Sequence, residues 1–259
     1  MKKENFMAMA HTKDDKIWIA YLLDRISFAE EKYVSSYTAF LDIREQAIAK
    51  RILASFAHLP HLFWGGSPDC ERAQLGIAGE YGQILPEDFP LVSFKLTSRE
   101  LKRLSHRDFL GALMGLGIKR EKLGDILLTK EACYFFVCAD IAAYIEQNLI
   151  KVGSAGVQLT RCQPEQITFK REYREIRATV SSPRIDTITA HLTALARAKA
   201  EQLILSGRVQ VDHFDVVDKN VQVREGATIS IKGYGRYQVD QIGPTTKKGR
   251  LVFVARKYV

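Results

Sequence analysis

Residues 184–211 read RIDTITAHLTALARAKAEQLILSGRVQV, and this segment has the clearest secondary-structure pattern of the chain. Two sets of apolar residues recur in it at helical spacing: Ile185, Ile188 and Leu192, then Ala200, Leu203 and Ile204. Ser182 and Pro183 suit the N-cap and first turn of the first helix, and Gly207 suits the left-handed position that ends the second. The pattern therefore predicts a domain over residues 182–259, with a helix pair followed by short strands.

The positive charge of the chain is concentrated in the same region. Residues 170–259 hold 17 Lys and Arg against 9 Asp and Glu, and this excess of eight equals the net charge of +8 of the whole chain. Residues 1–169 carry 21 charges of each sign and are neutral. A local basic excess suits a module that binds a polyanion, because each Lys or Arg placed on a phosphate releases condensed counterions. A merely solvated basic surface is the alternative.

Composition excludes several classes of protein. The 259 residues are 46% hydrophobic and 26% charged, which is typical of a chain that folds into two or three domains. No apolar run approaches the roughly 20 residues that span a bilayer, and the first residues are too charged for a signal peptide. A cytoplasmic location without membrane contact is expected. The four cysteines form no CxxC pair, so we expect reduced thiols, no metal site and no cofactor.

Residues 1–88 are predicted to form a helical plus β-hairpin unit. Apolar residues recur at helical spacing from Lys16 to Phe56 without an intervening Pro or Gly, which predicts two helices. The sequence GGSP at residues 65–68 then separates two apolar runs that look like strands. Because the glycine pair lacks the GKS/T and GxGxxG patterns of nucleotide sites, it is interpreted as a turn.

Residues 89–168 are predicted to form a ferredoxin-like plait. The segments LVSFKLT, HRDFLGALMGLG, GDILLT, ACYFFVCA, DIAAYIEQNL and GVQLTRC indicate the order βαββαβ. This order closes into a four-stranded antiparallel sheet with both helices on one face. The aromatic signature of RNA-recognition domains is missing, and Tyr134, Phe135 and Phe136 are expected to lie partly in the core. The charged stretch 169–181 is interpreted as a linker, which gives an α+β protein of three domains.

The candidate RNA contacts lie mainly in the C-terminal domain. Its second helix would place Lys199, Gln202 and Ser206 on one face. Arg and Lys bind phosphates, while Gln and Ser reach the sugar hydroxyls that distinguish RNA from DNA. The predicted RNA-binding set is Arg184, Arg197, Lys199, Gln202, Ser206, Arg208, Lys232 and Arg236. A second candidate RNA patch, with a solvated loop as its alternative, consists of Lys119, Arg120 and Lys122.

Several of these stretches resemble a known domain. Arg184 with Asp186, then RAKAEQLILSGRVQV at 197–211 and VREGATISIKGYGRY at 223–237, are similar to the ribosomal protein S-four-like RNA-binding domain. The sequence departs from that domain's usual pattern at Ala196, at Asp212-His213 and at Ala227, where Ser, an Asn-Gly turn and Asp are common. The departures are expected to remove one polar contact and to weaken the geometry of the hairpin turn.

The chain as a whole resembles the bacterial YlmH-type family. The resemblance is carried by HRDFLGALMGLGIKREKLGDIL at 106–127 and GGSPDCER at 65–72, with the S-four-like domain last. It implies a non-enzymatic, ribosome-associated RNA-binding protein that acts on large ribosomal subunits carrying peptidyl-tRNA left by stalled translation. A further link to cell division is implied. The implied partners are ribosomal RNA and tRNA, with no small-molecule substrate.

Two other functions stay open. S-four-like domains are often appended to RNA-modifying enzymes, such as pseudouridine synthases and methyltransferases, but the sequence contains no recognisable motif of either class. His106-Arg107-Asp108 imitates a kinase catalytic loop without its downstream Asn, and is interpreted as a helix start capped by Ser105. No catalytic residue is therefore assigned. The remaining alternative makes the first two-thirds of the chain a protein-docking platform.

Overall fold

The computed structural model describes residues 6–10, 12–68, 70–79, 82–164, 167 and 173–258. The chain divides into two compact units, residues 1–169 and residues 170–259. Each unit combines α-helices with antiparallel sheets, so the predicted α+β class is confirmed.

The first part of unit 1 contains two helices and a small sheet. Helices α1 (Lys13–Lys32) and α2 (Ile43–Leu53) both begin with a capping box, formed by Thr12 with Asp15 and by Asp42 with Glu45. The sheet has the order β1-β3-β2 and consists of β1 (Ser36–Tyr37), β2 (His61–Trp64) and β3 (Gln74–Ile77). The two predicted helices and the predicted hairpin are therefore present, with β1 as an additional strand.

The second part of unit 1 has the predicted βαββαβ order. Its elements are β4 (Leu91–Thr97), α3 (His106–Gly115), β5 (Leu123–Leu128), β6 (Cys133–Cys138), α4 (Ala139–Asn148) and β9 (Gln158–Cys162). A short ribbon of β7 (Lys151–Val152) and β8 (Ala155–Gly156) lies between α4 and β9. The four strands form an antiparallel sheet of order β5-β6-β4-β9.

The two faces of this sheet are covered by different parts of the chain. On one face, Phe94 and Phe135 pack with Phe109 of α3 and Ile145 of α4. On the other face, the fully buried Phe136 packs with Phe40, which lies between β1 and α2. A Cβ atom at Gly66 would overlap the Phe136 ring, which explains why glycine occupies this position in the turn after β2. Residues 1–88 and 89–168 therefore share a core rather than forming separate domains.

Polar contacts reinforce this junction. Arg72 donates from Nε to the Leu123 carbonyl at 2.9 Å and from Nη2 to the Phe40 carbonyl at 2.8 Å. The Asp125 carboxylate accepts hydrogen bonds from the backbone N–H groups of Glu71 and Arg72. Because the sheet face that RNA-recognition domains use for base stacking is occupied here by the chain's own residues, Phe136 has no access to a base.

Unit 2 is a helix pair packed on a six-stranded antiparallel sheet. The helices are α5 (Ile185–Thr193) and α6 (Arg197–Leu205). The sheet has the order β10-β15-β14-β13-β11-β12 and consists of β10 (Tyr173–Val180), β11 (Val209–Val211), β12 (Phe214–Asp215), β13 (Thr228–Ile231), β14 (Gly235–Thr245) and β15 (Leu251–Tyr258). The core of unit 2 contains Ile185 and Ile188 of α5, Ile204 of α6, and Tyr237 and Phe253 of the sheet.

The segment interpreted as a linker, residues 169–181, contains strand β10. Every residue of β10 pairs with β15, from Tyr173 opposite Tyr258 to Val180 opposite Leu251. Ile176, Ala178 and Val180 pack on the core at alternate positions, as a strand with one buried face requires. The high charge of the segment concealed this period of two, so the linker interpretation was wrong for residues 173–180. Residues 169–172 lie outside the described part of the chain.

Helix α5 ends at an alanine in the left-handed region. Ala194 has φ 54° and ψ 30° at the C-cap of α5, a conformation that costs a non-glycine residue about 1 kcal/mol. We expect Ala194→Gly to raise the free energy of unfolding of unit 2 by about 1 kcal/mol, because glycine adopts this conformation without strain. The Ala194 side chain is exposed, so its removal costs no buried contact. Ala190→Gly, in the interior of the same helix, should lower it by a similar amount. Denaturant unfolding measures the free energy of unfolding of both variants. A change of the same sign in the two variants would contradict the argument from backbone conformation.

The hairpin turn between β11 and β12 also uses two left-handed residues. Asp212 has φ 50° and His213 has φ 70°, the conformations for which Asn-Gly is normally preferred. The Asp212 carboxylate compensates in part, because it accepts a hydrogen bond from the Thr228 backbone N–H at 2.9 Å. The turn is therefore formed despite the unusual residue pair.

Candidate nucleic-acid interface

Helix α6 has one buried and one exposed face. Ala200 and Ile204 are fully buried, whereas Lys199, Gln202 and Ser206 are exposed. The helical face predicted from the sequence is thus confirmed in its geometry. Lys199 makes no ion pair with the described residues, so its ammonium group is available for a phosphate.

A buried carboxylate lies at the start of the helix pair. Asp186 is completely inaccessible to solvent. It accepts hydrogen bonds from Nη2 of Arg184 at 2.9 Å, from Nη2 of Arg197 at 2.7 Å and from the backbone N–H of Thr187 at 2.7 Å. Burial by itself would raise the pKa of Asp186, but the hydrogen bonds from the two guanidinium groups outweigh it and lower the pKa to about 2.

The two arginines are oriented by this carboxylate while remaining partly accessible. The side chains of Arg184 and Arg197 are 29% and 52% exposed, respectively. Each guanidinium group uses only part of its five donors on Asp186, so donors remain for an anion in solution. Because their geometry is fixed before a ligand arrives, less side-chain entropy is lost on binding. Together with Asp186, the pair carries one net positive charge.

The exposed face of α6 continues into the β13–β14 turn. Gly207 has φ 65° and ends the helix as predicted. The next residue, Arg208, donates from Nη2 to the Lys232 carbonyl at 3.0 Å. Arg208 and Lys232 are both exposed. Lys199, Ser206, Arg208 and Lys232 thus extend from α6 to the turn between β13 and β14.

Arg236 lies in a different environment from the other predicted contacts. It is in β14, opposite Ser230 of β13, and its guanidinium carbon lies 5.5 Å from the centre of the Tyr258 ring. The eight predicted residues therefore fall into three sets: the pair held by Asp186, the α6 face with Arg208 and Lys232, and Arg236 on the sheet.

The second candidate patch is not a single surface. Arg120 is half-buried and donates from Nη1 to the Leu123 carbonyl at 2.7 Å, and burial lowers its pKa. Lys122 forms an ion pair with Asp140. Only Lys119, among these three, is exposed and makes no ion pair with the described residues. The exposed basic residues Lys102 and Arg107 of the same part of unit 1 were not predicted as candidates.

The helix start at His106-Arg107-Asp108 is confirmed. Asp108 accepts a hydrogen bond from the backbone N–H of Ser105 at 2.8 Å, and this bond lowers the Asp108 pKa. Ser105 is thus the N-cap of α3 as predicted, and Asp108 accepts a hydrogen bond from it within the first turn.

Comparison with known proteins is consistent with these features. A family model described as "Putative RNA-binding domain in YlmH" matches residues 86–166. The chain is also 35% identical over 242 residues to the "Ribosome-associated protein quality control protein P2" of Bacillus subtilis (strain 168), with 92% of this chain and 93% of that protein covered. The chain belongs to the YlmH family. The resemblance stated from the sequence is thereby confirmed, and with it the relation to an RNA-binding, ribosome-associated group of proteins.

A solved YlmH structure shares the fold. The "Cell division protein ylmH from Streptococcus pneumoniae" matches with a TM-score of 0.52 and 21% sequence identity, and the match covers 62% of this chain and 98% of that one. The YlmH family model falls on the βαββαβ part of unit 1, which the sequence had ranked below the C-terminal unit as an RNA-binding surface.

Within the described ranges, no group of three or more His, Cys, Asp or Glu side chains is placed to hold a metal ion. In the same ranges, no helix is long and apolar enough to cross a membrane.

Proposed function

We propose that this chain binds structured RNA without catalysing a reaction on it, and that unit 2 is an S-four-like RNA-binding domain. The observation that carries the proposal is the exposed row formed by Lys199 and Gln202 of α6 and the C-cap residue Ser206, extended by Arg208 and Lys232. Lysine and arginine suit phosphates, while Gln202 and Ser206 suit the 2′-hydroxyl groups of RNA. Arg184 and Arg197 lie at the starts of α5 and α6, and their guanidinium groups keep N–H donors that Asp186 does not use.

The net charge supports the same assignment. Unit 2 carries the entire basic excess of the chain, which is the electrostatic requirement for a polyanion ligand. The mixture of phosphate-binding and hydroxyl-binding groups suits recognition of RNA shape rather than sequence.

We further propose a ribosomal setting in the cytoplasm. The Bacillus subtilis relative is named for ribosome-associated protein quality control, so the RNA proposed here is ribosomal RNA, tRNA or both, on the large subunit after translation has stalled. The Streptococcus pneumoniae neighbour is named for cell division, and a link to that process is proposed as secondary to RNA binding.

Sedimentation with purified large ribosomal subunits tests the proposal. We expect the wild-type protein to co-sediment and the triple variant Lys199→Ala, Arg208→Ala, Lys232→Ala to remain in the free fraction, because the variant loses three phosphate contacts. The matched control is Lys16→Ala, Lys32→Ala, Lys130→Ala, which removes the same charge from exposed positions of unit 1. Free migration of the wild-type protein, or equal loss in both variants, would contradict the proposed site.

The alternative of an RNA-modifying enzyme has a separate test. Uridine isomerisation or methyl transfer in RNA recovered after incubation with the protein would support that alternative and contradict the non-enzymatic proposal.

A further inference from the structure

A pair of tyrosines lies on the face of the unit 2 sheet that is turned away from the helices. Tyr173 of β10 and Tyr258 of β15 occupy directly opposite positions. Their ring centres are 5.2 Å apart with an interplanar angle of 70°. Ile176 and Ala255, at odd separations from them along the strands, pack on the helix side, so the strand alternation places the two rings on the opposite face. Tyr173 is 40% exposed.

Two arginines cover these rings. The Arg256 guanidinium carbon lies 5.0 Å from the centre of the Tyr173 ring, and that of Arg236 lies 5.5 Å from the centre of the Tyr258 ring. Arg256 is held in place by Asp240, with Nη2 and Oδ1 2.7 Å apart. We refer to Tyr173, Tyr258, Arg236 and Arg256 as the Arg–Tyr layer.

This layer has the chemistry of a base-stacking platform. Aromatic rings and guanidinium planes are the two protein surfaces on which unstacked nucleobases lie in RNA complexes. A cross-strand tyrosine pair also stabilises strand pairing, but this role requires neither two arginines over the rings nor a position beside other basic side chains. Arg174 and Lys257, the neighbours of the two tyrosines in sequence, lie on the helix side of the sheet by the same alternation, so Arg236 and Arg256 supply the positive charge of the layer.

The layer is continuous with the surface proposed above for RNA. Arg208, after α6, donates to the Lys232 carbonyl. Lys232 lies in the turn that leads into β14, and β14 carries Arg236 at its second position. Arg236 in turn lies over Tyr258. An RNA strand bound to Arg208 and Lys232 would therefore next meet Arg236 and then the Tyr258 ring.

We propose that the Arg–Tyr layer stacks one unpaired nucleobase of the bound RNA, with the phosphates beside that nucleotide on Arg236 and Lys232. This inference rests on the proposed RNA-binding function and adds the class of RNA feature recognised: a bulged or terminal unpaired nucleotide next to a helix. Any of the four bases is accepted, because stacking uses the face that every base possesses.

A fluorescent base reports the stack directly. The probe is an RNA hairpin with a single bulged 2-aminopurine, compared with the same hairpin fully paired. We expect the wild-type protein to quench the 2-aminopurine and to prefer the bulged hairpin by roughly tenfold, the size of one base–aromatic stack. Tyr173→Val with Tyr258→Val should abolish both effects and leave the affinity for the paired hairpin within about twofold. Valine keeps the strand propensity of these positions.

Two controls separate stacking from folding. Tyr173→Phe with Tyr258→Phe retains the rings and should behave as the wild-type protein does. Tyr21→Val removes an exposed tyrosine of unit 1 that also lies under an arginine, Arg25, at 5.3 Å, and should have no effect on the quenching. Unquenched fluorescence in the wild-type complex, or unchanged quenching in the valine variant, would overturn the proposal.

A second measurement uses only the wild-type protein. Photocrosslinking of a hairpin with 4-thiouridine at the bulge should attach the RNA to Tyr173 or Tyr258, identified by mass spectrometry of the cross-linked peptide. Cross-links confined to α6 or to unit 1 would overturn the stacking site while leaving RNA binding intact. Failure of the wild-type protein to bind either hairpin would overturn the proposed function and the stacking site together.

Discussion

The double variant Arg184→Ala, Arg197→Ala is expected to unfold unit 2 rather than only to weaken RNA binding. The two guanidinium groups are the ion-pair partners of the fully buried Asp186 carboxylate. Removing both leaves an uncompensated buried charge, which costs about 3–5 kcal/mol, a large fraction of the stability of a small domain. Substitution of Arg197 is for this reason a poor test of RNA contact.

The stability of unit 2 should also depend on pH through the Asp186 carboxylate. In the wild-type protein the pKa of Asp186 is lowered from 3.8 to about 2, which contributes about 2 kcal/mol of stability above pH 4. That contribution is lost as the pH falls from about 4 to about 2. In the double variant the two guanidinium donors are gone while burial and the Thr187 backbone N–H remain, so the pKa of Asp186 rises from its wild-type value and the stability contributed above pH 4 is smaller. The double variant should therefore lose less stability than the wild-type protein as the pH falls from about 4 to about 2.

Hydrogen exchange is the appropriate measurement. The two tryptophans, Trp18 and Trp64, both lie in unit 1, so their fluorescence does not report on unit 2. Exchange of the amides of α5 and α6 should be accelerated in the double variant, with peptides of unit 1 as the internal control. Adding Asp186→Ala to the double variant removes the buried charge and should restore protection. A double variant that lost as much stability in acid as the wild-type protein does would contradict this account of the buried carboxylate.

The second large effect concerns RNA affinity and its dependence on salt. Lys199→Ala, Arg208→Ala, Lys232→Ala should lower the magnitude of the slope of log affinity against log salt by about three, because each phosphate contact contributes about 0.9. At 0.1 M salt the affinity for RNA should fall by roughly 500-fold relative to wild type, because the counterion-release contributions of the three contacts multiply. None of the three side chains is a partner of Asp186, so unit 2 should remain folded. Titration of a labelled RNA hairpin at several salt concentrations measures both quantities.

The control for charge alone is the Lys16→Ala, Lys32→Ala, Lys130→Ala variant. If its salt slope decreased as much as that of the α6 variant, the effect would come from net charge and the assigned surface would be wrong.

Much of the fold follows from local patterns that the sequence displays. The helix pair was predictable because Ile185, Ile188 and Ile204 recur with helical spacing and Gly207 ends the second helix. The βαββαβ order followed from short apolar segments separated by turns. Strand β10 was missed because alternating charges outweighed the inward Ile176 and Ala178 in the composition of the segment.

The features that escaped prediction depend on contacts between distant parts of the chain. Phe40 packs on Phe136, and no local period indicates which sheet face another segment will cover. The pairing of Asp186 with Arg197 joins two helices across a turn, although an aspartate two residues after Arg184 at a helix start was a usable signal. The Arg–Tyr layer is formed by β14, β15 and β10, whose adjacency in the sheet is set by tertiary pairing.

The contact between Phe40 and Phe136 also bears on which fragment of the molecule can be separated from the rest. The boundaries recognised by sequence similarity, residues 86–166, leave out Phe40 and Gly66, which lie against Phe136. A gene rearrangement that transferred only those residues to another protein would carry an open apolar sheet face, a template for aggregation. The plait therefore needs the preceding helical segment to keep this face covered, and a fragment meant to fold alone must include both.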